Sequence, residues 1–292
     1  MTDWQGVAGK RVLITGATGG IGLAAAKDLA RREAKLAIVA RSEARAGEAV
    51  RQIKAASRTD GEVDVLLADL ASQASIRRLA AEALERYSRL EVLVNNAGAV
   101  NSERRITEDG IELTWAVNHV APFLLMALLL DRIKASAPGR VVTTSSAAHL
   151  RAQIPFDDMS GERTYGPFGF GRYSQTKLAN ILFTRELARR LVGTGVTANC
   201  FHPGFVASGF NRNNGALMTF GMAIARPFGR SSEKGAETLV WLVDSPEVAG
   251  ESGGYYLDRR RILPSAAGQD AEAARRLWAL SEEQTRASAV RQ

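Results

Sequence analysis

Arg11-Val-Leu-Ile-Thr-Gly-Ala-Thr-Gly-Gly-Ile-Gly22 is the stretch that decides the fold of this chain. The β-branched and aliphatic residues at 12–14 predict a short buried strand, which breaks into glycines and leads into a helical pattern over 23–32. This order makes an anion site, because free backbone N–H groups and the positive end of the helix dipole point at one place. The glycines let a pyrophosphate approach where a Cβ would collide, although a lone glycine cluster is also compatible with an ordinary strand-to-helix turn.

The same alternation of strand and helix continues along the chain. Further buried strand patterns lie at 35–40, 63–68, 92–94, 140–144, 196–201 and 254–257. One helical pattern follows the second strand and ends at 57. Others cover 72–89, 109–135 (with a kink or break at Pro122), 173–191 and 232–243, and an amphipathic helical tail follows over 270–289. The alternation predicts a doubly wound parallel sheet of about seven strands with helices on both faces. Because no repeat or linker divides residues 1–292, we expect one Rossmann-type α/β domain.

Polar residues and glycines follow several of the predicted strands. Arg41 ends the second strand, Asp69 follows the third, and Asn95-Asn96-Ala97-Gly98 ends the fourth. In parallel sheets of this kind the ligand lies beyond the C-terminal ends of the strands. We therefore expect these residues and the glycine loop to share one edge and one ligand.

Composition excludes several classes of protein. With 292 residues, of which 46% are hydrophobic and 24% charged, the chain resembles soluble globular proteins. Its one cysteine, Cys200, excludes an intramolecular disulfide, and without a spaced Cys/His cluster we expect no metal site. The start lacks a signal-peptide pattern, and the longest apolar run, 120–130, is too short to span a bilayer. We therefore expect a cytoplasmic protein without a membrane span.

The net charge of +7 invites a nucleic-acid hypothesis. The arginines are spread over several predicted helices and mixed with glutamates, and no nucleic-acid-binding motif accompanies them. Solvated helix faces explain most of them, so we expect no nucleic-acid partner. The cluster Arg259-Arg260-Arg261 could attract an anionic partner, but nothing else in the sequence supports one.

Several short motifs give the chain a specific resemblance. They are Thr15-Gly16-x-x-x-Gly20-x-Gly22, Asp69, Asn95-Asn96-Ala97-Gly98, Asn118, Ser146, Tyr173-x-x-x-Lys177 and Pro203-Gly204. In this order they resemble the classical short-chain dehydrogenase/reductase family, over roughly the first two hundred residues. Within that family, Trp115-Ala-Val-Asn-His119, the stretch 177–187 and Leu277-Trp278 are similar to the retinol-dehydrogenase-like branch.

The resemblance implies a catalytic group with a clear physical basis. Tyr173 and Lys177 are four residues apart and share a helix face, where an ammonium favours the phenolate and lowers the pKa of the phenol. Such a tyrosine can protonate a carbonyl oxygen, or take the proton back from an alcohol. By resemblance, Lys177 also holds the nicotinamide ribose and Ser146 (with Ser145 as the alternative) binds the substrate oxygen. Asn118 would support the lysine through a water. We interpret His149 and His202 as structural.

The end of the second strand predicts which cofactor is bound. An NAD site typically has an acidic residue there, whereas this chain has Arg41 and Ser42, with Arg45 one turn later. A guanidinium can bind a 2′-phosphate, so we predict NADP(H) over NAD(H). Asp69 would bind the adenine amine through its side chain, and Leu70 could do so through its backbone N–H. The other cofactor residues implied are Gly16, Thr18, Gly20, Ile21, Gly22, Asn96, Ala97, Gly98, Tyr173, Lys177, Pro203, Gly204, Val206 and Ser208 (a serine where the family pattern usually has threonine).

Two irregular segments, 147–171 and 204–229, should enclose the substrate. They are rich in Phe, Met and Leu, which favours an apolar carbonyl or alcohol, although these residues could simply pack the loops. The first is longer than in compact relatives and would bring Phe156, Phe168 and Phe170 to the substrate, and glycines in both suggest a mobile lid. A non-catalytic NADP(H)-binding sensor or scaffold is the alternative function. Relatives often form dimers or tetramers, and a monomer stays open.

Overall fold

A computed structural model describes residues 4–58, 61–206 and 229–286. Its sheet has eight strands in the order β3-β2-β1-β4-β5-β6-β7-β8, all parallel to their neighbours except β8, which is antiparallel to β7. The strands are β1 (Arg11–Thr15), β2 (Lys35–Ala40), β3 (Val63–Leu67), β4 (Val92–Asn95), β5 (Gly139–Thr144), β6 (Val196–Phe201), β7 (Tyr255–Leu257) and β8 (Arg260–Ile262).

Helices connect the strands and cover both faces of the sheet. They are α1 (Gly20–Arg31), α2 (Glu43–Ala56), α3 (Gln73–Arg86), α4 (Leu113–Trp115), α5 (Ala121–Ala135), α6 (Phe170–Arg190), α7 (Ser232–Asp244), α8 (Ala266–Gln269) and α9 (Ala271–Thr285). One apolar core joins the sheet to α1, α2 and α7, and the other joins it to α3, α5, α6 and α9. The predicted doubly wound α/β fold is therefore confirmed.

The eighth strand is the main difference from the predicted sheet. β7 and β8 form a hairpin in which Leu257 pairs with Arg260, so Asp258 and Arg259 make a two-residue turn. Both turn residues have positive φ, 49° and 61°, as a type I′ turn requires. Because the strand is three residues long and carries two arginines, it has no hydrophobic alternation to reveal it.

The arginines of this hairpin are mostly engaged within the chain. Arg259 pairs with Glu237 at 2.9 Å, and Arg261 pairs with Glu251 at 2.9 Å. Their charges are thus offset locally, which favours the solvated-surface interpretation over an anionic partner.

The predicted helix over 109–135 is divided by a change of helix type. It begins at Leu113, passes through a π-helical turn at Ala116–Val120, and continues as α5, with Pro122 in its first turn. Because Pro122 lies in the first turn of α5, its missing N–H group removes no regular α-helical hydrogen bond. The stretch Leu113–Ala135 is long and apolar enough to cross a bilayer, but 78% of its most apolar window is buried inside the protein, so its length says little about a membrane.

The C-terminal helix α9 closes the core on the α5–α6 side. Trp278 stacks on Phe183 of α6 with ring centroids 6.0 Å apart, and it meets the edge of Phe123 of α5 at 4.9 Å. The predicted tail over 270–289 matches α9 up to Thr285, and its last three positions lie outside the described residues.

Candidate active site

The glycine loop lies between β1 and α1, at the C-terminal edge of the sheet. Gly16 and Gly20 have φ of 70° and 52°, a conformation that favours glycine. A Cβ on Gly22 would lie 2.2 Å from the carbonyl oxygen of Gly16, so the helix can approach the strand only without a side chain. Thr18 lies in the turn, and the N-cap Gly19 contributes no side-chain hydrogen bond to α1. The first N–H groups of α1 are therefore available to an anion.

Asn96 holds this loop in place from the end of β4. Its Nδ2 donates to the carbonyl oxygens of Thr15 and Gly16 at 3.1 and 3.3 Å, and its Oδ1 accepts from the Thr144 hydroxyl at 3.2 Å. The backbone N–H groups of Asn96 and Ala97 donate to the Thr15 hydroxyl. Three strand ends, those of β1, β4 and β5, are thus joined around the loop.

The residues that the sequence predicts to select the cofactor lie next to the glycine loop, at the end of β2. Arg41 and Ser42 are both exposed, and among the described residues no hydrogen bond or ion pair engages the Arg41 side chain. Ser42 is the N-cap of α2, yet its hydroxyl makes no capping hydrogen bond. A guanidinium, a hydroxyl and a helix N-terminus therefore lie together and are available to an anion.

Asp69 and Leu70 continue the same edge beyond β3. The Asp69 carboxylate is exposed and accepts from the backbone N–H of Ala71 at 2.9 Å through one oxygen. Leu70 lines a small cavity with Asn95 and Ala97. The Asn95 side chain is buried there with both polar atoms unpaired within the described residues. A polar group entering beside Leu70 could satisfy them.

The remaining predicted cofactor residues converge from β6. Around Gly235 of α7, a Cβ would meet Val206, Ile21 and Pro203 at 2.7, 3.3 and 3.5 Å. The sequence predicted these three residues as separate cofactor contacts, and in the structure their apolar side chains form one cluster between α1 and the loop after β6.

Gly204 sits against a residue that sequence reasoning missed. It has φ of 78°, and a Cβ there would lie 2.8 Å from Nε of Arg230, whose guanidinium pairs with Asp258. The backbone N–H of Arg230 donates to the carbonyl of Phe205 at 2.8 Å, which anchors the loop after β6. Ser208 and most of the predicted 204–229 segment lie outside the described residues.

Ser146, not Ser145, faces Tyr173. The Ser146 side chain is close enough to the Tyr173 hydroxyl to lower its pKa, an effect that opposes burial. The hydroxyl of Ser145 is buried and donates instead to the carbonyl of Lys177 at 2.7 Å. Adjacent strand residues point in opposite directions, so only one of two neighbouring serines can reach the tyrosine. The structure therefore shows which of the two serines faces Tyr173, a question that the sequence left open.

Tyr173 and Lys177 are close together, as their helical spacing predicts. Lys177 is buried, its Nζ lies 5.4 Å from the centre of the Tyr173 ring, and it donates to the carbonyl of Thr144 at 3.1 Å. Burial lowers the pKa of Lys177 to about 8. Burial also raises the pKa of Tyr173 to about 12, against the opposing effect of the Ser146 side chain.

The direction of the tyrosine shift differs from the prediction that Lys177 lowers it. The lysine ammonium is directed at the Thr144 carbonyl, and the cost of burying a phenolate outweighs any attraction between the two groups. With these pKa values, Tyr173 is a protonated acid at neutral pH beside a lysine that is mostly charged.

Asn118 occupies the π-helical turn, a feature often found at functional sites. Its amide accepts from the backbone N–H of Ala99 at 2.7 Å and donates to the Ala99 carbonyl at 2.8 Å and the Thr176 hydroxyl at 3.1 Å. A Cβ on Gly98 would lie 3.4 Å from Asn118 Oδ1 and 3.5 Å from Lys177 Nζ. The side chains of Asn118 and Lys177 therefore both lie against Gly98.

A buried ion pair fixes the segment 147–171 beside Tyr173. Arg172 Nε donates to Glu112 at 2.9 Å, and neither side chain is exposed to solvent. The same guanidinium donates to Gln175 at 3.1 Å and to the carbonyl of Met159. One charged group thus joins the loop before α4, the 147–171 segment and the start of α6.

Asp158 organises the middle of this segment. Its carboxylate accepts hydrogen bonds from the backbone N–H groups of residues 162–164 and from the Thr164 hydroxyl. Burial raises the pKa of Asp158, but these hydrogen bonds outweigh it and lower the pKa to about 2. The segment also contains two short 3₁₀ helices, Ala147–Arg151 and Pro167–Gly169, where the sequence indicated irregular structure.

The glycines of this segment serve close packing, whereas the sequence suggested a mobile lid. Gly169 has φ of 73°, and a Cβ there would lie 1.9 Å from the Asn101 carbonyl oxygen. Gly166 has φ of 76° and packs against the backbone of Gly171. These contacts require glycine for geometric reasons and tie the segment to the rest of the protein.

Only part of the predicted aromatic wall reaches the site. The Phe170 ring lies edge-on to Tyr173 at 6.5 Å, and the neighbouring Phe168 is 57% exposed. Phe156 instead packs under Arg276 of α9, 4.1 Å from its guanidinium, and so belongs to the packing of the C-terminal helix. The prediction for Phe156 is therefore wrong, because α9 covers that face.

Asn180 is a further residue near the site that the sequence analysis did not assign. Its Nδ2 donates to the Thr144 carbonyl at 3.2 Å, so this oxygen accepts from both Asn180 and Lys177. Asn180 lies three residues after Lys177 and therefore shares its helix face, which is the signal that could have found it.

Comparison with known proteins agrees with this geometry. The family profile described as short chain dehydrogenase matches residues 10–218. The chain is 42% identical to retinol dehydrogenase 14 of Mus musculus, over 94% of this chain and 85% of that protein. It is 41% identical to retinol dehydrogenase 12 of Mus musculus, over 94% and 86%. A short chain dehydrogenase from Burkholderia cenocepacia, solved in complex with NADP, superimposes with a TM-score of 0.68 at 27% identity, over 90% and 99%.

These similarities cover most of the chain and include the elements that carry the site. The profile spans every strand from β1 to β6, and the two retinol dehydrogenases extend the likeness to 94% of the chain. The chain belongs to the short-chain dehydrogenase family, in its retinol-dehydrogenase-like branch, and is an oxidoreductase that acts on alcohol or carbonyl groups with a nicotinamide cofactor.

Proposed function

We propose that this protein is an NADP(H)-dependent oxidoreductase that interconverts a carbonyl and an alcohol on an apolar small molecule. Tyr173 would transfer the proton, and Ser146, Lys177 and Asn118 would support it in a proton relay. The observation that supports this most directly is that the Ser146 side chain acts on the Tyr173 hydroxyl while Nζ of buried Lys177 lies 5.4 Å from the centre of the tyrosine ring. A non-catalytic sensor would have no need of this arrangement.

The residues present fit a phosphorylated dinucleotide. The glycine loop leaves a cradle that a Cβ would fill, and α1 opens with uncapped N–H groups for a pyrophosphate. Arg41 and the unengaged Ser42 hydroxyl would bind the 2′-phosphate. The neighbouring structure in complex with NADP supports the same choice.

The bound nicotinamide would supply or accept the hydride. Ser146 would donate a hydrogen bond to the substrate oxygen and stabilise the charge that develops on it. In the reducing direction, Tyr173 would give its hydroxyl proton to that oxygen, and the Lys177 ammonium would favour the phenolate left behind. Asn118 would hold Gly98 and its neighbour Ala99 in place beside the lysine.

An apolar substrate is proposed from the surroundings of Tyr173. Phe168, Phe170 and Phe205 are each about half exposed near the ends of β5 and β6. Exposed aromatic residues around a buried polar group are typical of a pocket for an apolar ligand. The names of the two relatives make all-trans-retinal a sensible compound to test, together with decanal as a simple aliphatic aldehyde.

The test of cofactor choice is the replacement Arg41→Asp. We expect the Kd for NADPH to rise by about 100-fold, because a carboxylate repels the 2′-phosphate that the guanidinium binds. The Kd for NADH should change little. Titration of both cofactors by nicotinamide fluorescence measures this, with Arg78→Asp as a control that makes the same charge change on exposed α3. Equal wild-type affinity for NADH and NADPH would contradict the proposal.

The pKa values of the site predict the pH dependence of reduction. Tyr173 is protonated below about 12 and Lys177 is charged below about 8, so the competent pair exists below pH 8 and is lost above it. We therefore expect kcat/KM for reduction to be level below pH 8 and to fall above it. In Lys177→Arg the side chain stays charged above pH 8, so kcat/KM for reduction should no longer fall there, whatever the absolute rate of the variant. A wild-type profile that stays level above pH 8 would contradict this role of Lys177.

A further inference from the structure

We propose that His149 is a positioning residue that orients Ser146 by connecting its backbone to the segment after β8. This inference rests on the proposed role of Ser146 at the substrate oxygen. His149 lies three residues after Ser146, in the 3₁₀ helix that Ser146 begins. It does not touch Tyr173 or Lys177 in any hydrogen bond among the described residues, so it would act through the serine.

The hydrogen bonds of the imidazole define its tautomer. The backbone N–H of Ser265 donates to His149 Nε2 at 3.1 Å, and a backbone N–H can only donate. Nε2 is therefore unprotonated, and the ring proton lies on Nδ1. Nδ1 is 2.7 Å from the carbonyl oxygen of Ser146, which can only accept. His149 thus donates to Ser146 and accepts from Ser265 at the same time.

The surroundings keep this imidazole neutral. His149 is only 1% exposed, and its ring packs edge-on against Tyr255 of β7 at 5.1 Å. Burial lowers the pKa of His149, against the opposing effect of the Ser146 carbonyl. The Tyr255 hydroxyl lies 3.3 Å from Nδ1 and can share the Nδ1 proton as a second, weaker acceptor. Protonation of Nε2 would remove the acceptor that Ser265 needs.

These contacts bear directly on the conformation of Ser146. Its carbonyl accepts from the backbone N–H of His149 at 3.2 Å as well as from the ring, and its hydroxyl oxygen accepts from the N–H of Ala148 at 3.2 Å. The Ala148 N–H engages one lone pair of the hydroxyl oxygen and so helps to fix the orientation of the Ser146 side chain, whose proton stays available as a donor. The ring supplies the shortest of these three bonds, so its loss would free the peptide plane that follows Ser146.

The other end of the link lies outside the parallel sheet. Ser265 follows β8, and its hydroxyl accepts from Gly268 to cap α8 at 3.2 Å. The hairpin β7–β8 and helix α8 are therefore connected to the serine through one ring. Elements that sequence patterns left unassigned would thus help set the geometry of the proton-transfer group.

Two substitutions separate the two hydrogen bonds. In His149→Asn the amide can occupy the place of Nδ1 and donate to the Ser146 carbonyl, but it does not reach Ser265. In His149→Gln the longer amide can occupy the place of Nε2 and accept from Ser265, but it leaves the Ser146 carbonyl with one donor fewer. With decanal and NADPH, we expect kcat to fall about tenfold in His149→Gln, which loses the bond to Ser146, and by a smaller factor in His149→Asn, which keeps that bond but loses its anchor at Ser265.

A double-mutant cycle with Ser146→Ala tests whether the effect passes through the serine. His149→Gln should cause no further loss of kcat in the Ser146→Ala background, and the Kd for NADPH should stay within about twofold of wild type in every variant. ¹⁵N NMR of labelled histidine should show the Nδ1–H tautomer for His149 in the intact protein. Thermal unfolding of each variant checks that it is folded at the assay temperature.

The outcomes distinguish this inference from the function on which it rests. If Ser146→Ala is as active as wild type, the proposed role of Ser146 is wrong. If Ser146→Ala is impaired but His149→Gln keeps the wild-type kcat, or loses the same factor in both backgrounds, the positioning role is overturned. An Nε2–H tautomer, or equal losses in His149→Gln and His149→Asn, would also overturn it.

Discussion

Tyr173→Phe is expected to lower kcat by about 10²–10⁴-fold while leaving NADPH affinity nearly unchanged. The substitution removes the hydroxyl that faces Ser146 beside Lys177, and with it the proton that the substrate oxygen would receive. The ring itself is retained, so the packing with Phe170 should persist. Steady-state reduction of decanal and all-trans-retinal, with NADPH titration alongside, measures both quantities.

Tyr87→Phe is the matched control for this experiment. Its hydroxyl donates to Asp64 near the N-terminal end of β3, on the opposite edge of the sheet from Tyr173. It should leave kcat and NADPH affinity unchanged. A Tyr173→Phe variant that binds NADPH and keeps the wild-type kcat would contradict the proposed mechanism. A wild-type protein that binds NADPH tightly and reduces no carbonyl would favour the sensor hypothesis instead.

Gly22→Ala is the second substitution with a large expected effect. The new Cβ would lie 2.2 Å from the Gly16 carbonyl oxygen and 2.5 Å from Asn96 Nδ2, so the loop backbone must move. We expect the free energy of unfolding to fall by about 1–3 kcal/mol, as for an overpacked core. We also expect the Kd for NADPH to rise at least about 100-fold, because the N–H groups that would hold the pyrophosphate are displaced.

Gly47→Ala separates the loop effect from a general effect of replacing a glycine. Gly47 lies inside α2, and a Cβ there meets only the end of the Arg51 side chain at 3.9 Å. Alanine should therefore raise the free energy of unfolding by about 0.5–1 kcal/mol and leave NADPH affinity unchanged. Urea unfolding and fluorescence titration measure both. Wild-type NADPH affinity in Gly22→Ala would show that the loop does not bind the cofactor as proposed.

Much of the fold followed from local patterns. The apolar runs of β1, β2 and β4 are buried on both faces, and such runs predict parallel strands without any knowledge of their neighbours. Gly16, Gly20 and Gly22 are likewise required by the strand-to-helix turn itself. Boundaries were less accurate, since α1 begins at Gly20 and α6 at Phe170, each three residues before the predicted start.

The features that were missed depend on partners far away in the chain. β8 is held by its hairpin with β7 and has no apolar alternation of its own. The sequence did not reveal the buried pair of Arg172 and Glu112, which ties the segment 147–171 to the loop before α4, because these residues are sixty positions apart. The pKa of Tyr173 depends on burial, which no spacing rule includes.

The sequence by itself determined the parallel α/β sheet, its glycine turn and the group of residues at the strand ends, because these depend on short-range periodicity and backbone conformation. Only the tertiary structure decided which serine faces Tyr173, that burial raises the pKa of Tyr173, and that His149 connects Ser146 to Ser265. Those properties arise from burial and from hydrogen bonds between residues distant in the chain, and both exist only after the elements have packed.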